Sequence, residues 1–314
     1  MRWTIVSSSN DGYFPLLQGL ILSISDRTRA AGQAMPDIHI LDIGLTDDQR
    51  HWLEPYVKGF VRPSWDVGPD DAAFLETHGG EAFKPMTARP NLPRHVPGYD
   101  SYLWIDADAW VQRWEVIDWY LEAARGGRMA VTPAIHRAFA GTFHTSPRQE
   151  ALFEVHRWCV EESLAKALVY QLQQINSGVF ALEAESPVWE IWADCNKQIL
   201  TRLRVTEKFT SLFEQIALNV AIYTRRAPIH FLPVSCNWPI AEGDLMLDLE
   251  RKLFVEPLVP HEPIGILHVI HTALGDAKAK MSPIEVLTRN GGPKLKMAVD
   301  YLSVRKNLLG LKTE

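Results

Sequence analysis

The chain has 314 residues, 46% of them hydrophobic and 22% charged, which is ordinary for a globular protein and too apolar for a disordered one. Its formal net charge of −6 argues against a general nucleic-acid binder, which needs a basic face. No run reaches the roughly 18 apolar residues of a membrane span, and the three widely spaced cysteines, Cys159, Cys195 and Cys236, suggest neither a disulfide framework nor a zinc ribbon but a reducing cytoplasm.

In chain order, W-T-I-V at residues 3–6 reads as a short strand that runs into the polar turn Ser7–Gly12. Apolar spacing from Pro15 onward predicts a helix with proline in its first turn. D-I-H-I-L-D-I, residues 37–43, is a second strand, and Thr46 with Gln49 forms a capping-box signal for a second helix. Strand, helix, strand, helix predicts a parallel sheet covered by helices. Residues 63–100, rich in proline, glycine and aspartate, read as a long irregular stretch of the lid or binding-loop kind.

Y-L-W-I-D-A-D, residues 102–108, follows as a strand apolar on both faces, as at a sheet centre. Further strands are predicted at 128–131, 177–182, 229–234 and 265–270, and helices at 148–172, 186–203 and 209–225. The last segment, residues 289–314, carries Arg289, Lys294, Lys296, Arg305, Lys306 and Lys312 against Asp300 and Glu314. With its interleaved leucines it reads as a basic helical tail over 281–314, packed on the domain or resting on an anionic membrane surface.

Asp106 and Asp108 stand where the central strand stops. Asp-x-Asp is a cheap pattern, and aspartate also favours turns and helix caps. Position gives the pair its meaning, because ligands of open α/β sheets bind at the carboxyl ends of strands. Two carboxylates there repel unless a cation joins them, and Mg²⁺ or Mn²⁺ takes carboxylate oxygens while leaving positions open for phosphate.

Y-L-W-I-D-A-D resembles the Asp-x-Asp motif of nucleotide-sugar glycosyltransferases with the GT-A fold, and is most similar to the retaining family 8 type. The similarity runs through residues 3–280 in the order of its blocks. It implies an α/β domain with a Rossmann-like mixed sheet, largely parallel and flanked by helices. It also implies a metal-dependent hexosyltransferase that moves a hexose from a UDP-sugar (UDP-glucose or UDP-galactose) to the hydroxyl of a glycan, lipid-linked or other acceptor.

The same resemblance implies the site. In I-V-S-S-S-N-D-G-Y-F, Asn10 would contact the base and Tyr13 would stack on it. In K-P-M-T-A-R, Arg89 or its competitor Lys84 would reach the donor sugar and phosphates, and Ala107 would lie against the donor between the two aspartates. In Q-I-N-S-G-V-F-A-L, Asn176 would bond the donor sugar, with Ser177 beside it and Gly178 permitting close approach of the backbone. In F-E-Q-I-A-L-N, Glu214 would hold sugar hydroxyls and Gln215 would lie beside the anomeric carbon. In S-C-N-W-P, Asn237 and Trp238 would line the acceptor side. In G-I-L-H-V-I-H-T-A-L-G-D-A-K-A-K, His268 would be the third ligand of a Mn²⁺ or Mg²⁺ ion, with His271 as the alternative, and Lys278 would bind the diphosphate.

Two other readings stay open at this point. A nucleotidyltransferase also uses a metal-bound carboxylate pair, but S-S-S-N-D-G lacks the basic residue its phosphate loop needs. A catalytically inactive sugar-nucleotide or glycan-binding module would keep the same cleft without turnover.

Overall fold

The computed structural model describes residues 1–139, 147–270 and 277–311, less the side chains of 147, 148, 277, 278 and 290. Its strands, in chain order, are β1 (Trp3–Ser9), β2 (Asp37–Asp42), β3 (Gly59–Val61), β4 (Ser101–Ile105), β5 (Ala109–Val111), β6 (Met129–Pro133), β7 (Ile175–Glu183), β8 (Ile229–Phe231), β9 (Trp238–Pro239), β10 (Met246–Asp248), β11 (Leu253–Val255), β12 (Ile266–His268), β13 (Ile284–Thr288) and β14 (Leu295–Met297). Seven of them form the central sheet in the order β3-β2-β1-β4-β7-β6-β8. Its pairings are parallel except those that β7 makes with β4 and β6. The expected mixed, largely parallel α/β sheet is present.

This order places the site. Chain direction across the sheet reverses at β1, which has β2 on one side and β4 on the other. A crevice therefore opens at the carboxyl ends of β1 and β4. Because β7 runs antiparallel, with Ile105 opposite Val179, its first residues lie against the last of β4. A separate three-stranded sheet, β5-β12-β9, then crosses the same end. There His268 pairs with Ala109 on one side and Pro239 on the other.

The two faces of the central sheet bury separate clusters. Tyr102, Trp104 and Phe180 face one, while Leu103, Ile105 and Val179 face the other. The helix Phe14–Ala30 covers the second face, with Pro15 in its first turn and Leu17, Leu20, Ile21 and Ile24 fully buried. Thr46 caps the helix Asp47–Leu53 in the expected capping box.

Several expectations need correction. Residues 63–100 are not an irregular lid but a chain of short helices over Pro69–Gly79, Gly80–Phe83, Lys84–Ala88, Arg89–Asn91 and Leu92–His95. Pro69, Pro85, Pro90 and Pro93 each stand in a first helical turn, where the missing N–H costs nothing. Proline density here marks repeated helix starts. The helix expected at 148–172 is two, Pro147–Cys159 and Glu162–Tyr170. The strand expected at 265–270 is β12 and belongs to the small sheet.

The 281–314 segment is not helical throughout. It forms β13 and β14, which join β10 and β11 in a four-stranded sheet, and then the helix Tyr301–Asn307. Tyr301 is buried against Trp110, and its hydroxyl donates to Asp26. Arg289 pairs with Asp248, Lys294 with Glu285 and Arg305 with Asp26, so three of the five basic residues of this segment among the described residues are held by acidic neighbours. Among the described residues no helix is long and apolar enough to cross a membrane.

Candidate metal centre and active site

Asp106, Asp108 and His268 come together at the carboxyl end of β4, with one ligand atom of each within 4.8 Å of the others. His268 Nε2 lies 3.1 Å from Asp108 Oδ1 and 3.7 Å from Asp106 Oδ2. The separation of 106 and 108 follows from local geometry. Asp106 continues the face of Trp104, two residues before it in the strand. The chain then turns, with the N–H of Ala109 donating to the carbonyl of Asp106, so Asp108 swings to meet β12. There the Val269 N–H donates to the Asp108 carbonyl at 2.8 Å.

Two carboxylates and an imidazole make a hard-oxygen and borderline-nitrogen donor set that fits Mn²⁺, Mg²⁺ or a related divalent ion. Gly178 tightens the fit. A Cβ there would stand 2.2 Å from His268 Cε1, 2.8 Å from Asn176 Oδ1 and 2.9 Å from Asp106 Oδ2. A glycine at 178 thus leaves room for His268, Asn176 and Asp106 side by side.

Charge at the cluster is balanced from inside the chain. Lys280 pairs with Asp108, and Arg89 pairs with Asp106. Burial works to raise the Asp108 pKa, but His268 and then Lys280 outweigh it and hold the carboxyl below its usual range. Lys280 also lies 5.3 Å from the ring centroid of Tyr13, which follows β1.

Arg89 is buried and central. It lies over the Trp104 ring, 4.6 Å from its centroid, and donates to Glu214 Oε2 at 3.2 Å and to Ser177 Oγ at 3.4 Å. Trp104 Nε1 donates to Asp106 Oδ1 at 2.8 Å, so the strand tryptophan and the arginine grip one carboxylate. Lys84, the competitor, instead pairs with Glu81 and faces Trp65. Ser177 Oγ donates to Glu214 Oε2 at 3.0 Å. Glu214 Oε1 and Arg89 Nε are buried with no hydrogen-bond partner among the described residues, polar atoms of the kind a bound ligand satisfies.

The other expected residues are placed as follows. Asn10 Oδ1 accepts from the Tyr13 N–H and caps the turn after β1, so one of its acceptor positions is already used. Ala107 is buried between the two aspartates. Gln215 is half-buried and its Oε1 accepts weakly from the Ser177 N–H at 3.4 Å. Asn176 and Asn237 bond each other beside His268, and Trp238 is buried against His136 and Phe139. His271 and the side chain of Lys278 lie outside the described residues.

No protein-family model matches the chain, and neither does any curated protein sequence. Solved structures do. The galactosyltransferase LgtC in complex with donor and acceptor sugar analogues is 13% identical, with a TM-score of 0.55 over 99% of this chain and 97% of that one. Mouse xyloside xylosyltransferase 1 is 10% identical, with a TM-score of 0.53 over 87% of this chain and 99% of that one. The bifunctional glycosyltransferase WbbM is 18% identical, with a TM-score of 0.50 over 76% of this chain; the match spans 40% of WbbM.

The chain has the GT-A glycosyltransferase fold.

Within this GT-A domain, sequence reasoning missed three supporting residues. Lys280 reaches Asp108, and no local pattern in the sequence singled it out. Trp104 was legible only through the period-two rule that sets it on the face of Asp106. Asn219 bonds both the N–H and the carbonyl of Ile175, at 2.9 and 3.0 Å, and so locks the helix bearing Glu214 to the start of β7.

Burial pushes the Glu214 pKa up to about 7, with Arg89 pulling it down and Asp106 adding to the rise. A carboxyl raised in the folded state contributes stability below its unfolded pKa and loses that contribution as pH rises through the folded value. Wild type should therefore lose stability between about pH 5 and pH 8 relative to Glu214→Gln, by on the order of 3 kcal/mol. Melting curves of both proteins across that range test this, and parallel curves would refute it.

Proposed function

We propose that this chain is a metal-dependent glycosyltransferase that moves a hexose from a UDP-sugar to an acceptor hydroxyl with retention of anomeric configuration. The observation that carries the reading is the Asp106–Asp108–His268 cluster at the carboxyl end of β4, with Asp108 and His268 buried and Asp106 partly exposed, on a GT-A fold. LgtC, which shares that fold, was solved with donor and acceptor sugar analogues, and this supports a nucleotide-sugar donor and a sugar acceptor.

Asp106, Asp108 and His268 would hold Mn²⁺ or Mg²⁺, which when bound supplies positive charge to the leaving diphosphate. The chain's own residues do the rest. Lys280 already sits as a cation against Asp108 and is proposed to turn to the diphosphate. Arg89 orders Asp106, Ser177 and Glu214 around the donor sugar. Gln215, a neutral amide, is a poor nucleophile, so front-face transfer is favoured. The sugar C1–oxygen bond to the diphosphate breaks, the acceptor oxygen bonds to C1 on the same face, and the acceptor proton passes to the departing diphosphate oxygen.

Residues 1–280 are proposed as the catalytic unit, with 281–314 as a support seated on it. Three buried free thiols are consistent with a reducing cytoplasmic setting. A membrane contact through 281–314 has little to rest on, since three of its five basic residues among the described residues have acidic partners.

The test is thermal melting with UDP and Mn²⁺ together, followed by assay of free UDP from UDP-glucose and UDP-galactose. At ligand about 100-fold above Kd the stabilisation should be about 2.7 kcal/mol. Stabilisation without UDP release would favour the binding module, and a response to nucleoside triphosphates alone would favour the nucleotidyltransferase.

A further inference from the structure

Asn237 is buried just before β9, and it touches the candidate ligand His268 rather than open space. Its amide is oriented by a chain of hydrogen bonds that begins on a backbone group. The N–H of Gly178 donates to Asn176 Oδ1 at 2.8 Å, which fixes which end of that amide faces inward. Asn237 Nδ2 donates to the same oxygen at 3.0 Å. That leaves Asn237 Oδ1 facing His268 Nδ1 at 3.1 Å. An amide oxygen accepts only, so Nδ1 must carry the proton.

We propose that Asn237 is a positioning residue for the candidate metal centre: the relay Gly178 N–H, Asn176, Asn237 keeps a proton on His268 Nδ1, so that Nε2, which bonds Asp108 in the metal-free chain, is the nitrogen that would face the ion. Nε2 is the atom that faces Asp108 Oδ1 at 3.1 Å and Asp106 Oδ2 at 3.7 Å. The same bond fixes the ring plane, as β12 lies between β5 and β9 and the ring cannot turn without losing Asn237. An outer hydrogen bond of this kind also makes the ligating nitrogen more basic. Asn176 and Asn237 thereby act on the ion through His268, a task distinct from touching a sugar. The inference rests on the metal reading above, but its first measurement does not.

That measurement uses the full chain with ¹⁵N-labelled histidine and no metal. A slowly exchanging Nδ1 proton of His268, assigned by its absence in His268→Gln, is expected in wild type and should be lost in Asn237→Leu, which keeps the volume. Mn²⁺ titration, read by the signal of free ion, should then show binding to Asn237→Leu weakened about 10- to 100-fold. Asn237→Asp keeps an acceptor on Nδ1 and should bind more tightly than Asn237→Leu. Wild-type Mn²⁺ affinity in a folded Asn237→Leu, or a His268 proton on Nε2 alone in wild type, overturns the proposal. If wild type binds no Mn²⁺ while the Nδ1 proton is present and protected, the metal reading fails and the relay stands. Should Asn237→Leu fail to fold, the wild-type proton still decides.

Discussion

Asp108→Asn is expected to cut UDP release by about 10³-fold, because positive charge on a transferring group contributes several kcal/mol and each 1.36 kcal/mol is tenfold in rate. The variant has a second effect that must be separated from the first. Asp108 and Lys280 are both buried and paired. Removing one partner leaves a buried charge uncompensated, at about 3–5 kcal/mol. A loss of activity alone therefore proves little.

The double variant Asp108→Asn with Lys280→Met removes both charges and should recover much of the melting temperature while UDP release stays low. Activity that returns with stability would show the cluster to be structural only. Acid sensitivity gives an independent readout. A carboxyl held below its usual range in the folded state contributes stability above its unfolded pKa, about 3.9, and loses it as pH falls through the folded value. Both variants should therefore lose less stability than wild type on acidification.

Gly178→Ala is the second large effect expected. The added methyl carbon would stand 2.2 Å from the His268 ring, inside any real contact distance, with Asn176 and Asp106 also too close. Strand β7 cannot yield easily, since Val179 is paired with Ile105 in the central sheet. The imidazole must move, and with it the candidate third ligand. Overpacking of this kind costs about 1–3 kcal/mol, and a displaced ligand should weaken Mn²⁺ binding at least as much as the loss of an outer-shell partner, about 10-fold or more. Calorimetric Mn²⁺ titration beside a melting curve measures both. An alanine protein with wild-type Mn²⁺ affinity would mean that His268 does not ligate the ion.

What was legible in the sequence depended on how local the information was. Alternating strands and helices, the Thr46 capping box and the fully apolar strand ending in Asp106 are local signals, and each appears in the structure. The 63–100 segment failed because proline marks loops and first helical turns alike. Only the packing of Ala88, Leu92 and their neighbours in the core beneath the sheet distinguishes the two. Lys280 meets Asp108 from 172 residues away, a contact that no local pattern announces.

By itself the sequence determined that a strand would deliver two aspartates to the edge of a parallel sheet, since apolar patterning and the strand end are written in consecutive residues. Only the tertiary structure decided what meets them. Arg89, Gly178, His268 and Lys280 reach the pair from four different segments, and Asn237 holds His268 from a fifth. Their approach is set by the reversal of strand order at β1, the antiparallel run of β7 and the small sheet that seats β12 between β5 and β9. Such meetings depend on how layers pack, and packing joins residues that share no local pattern.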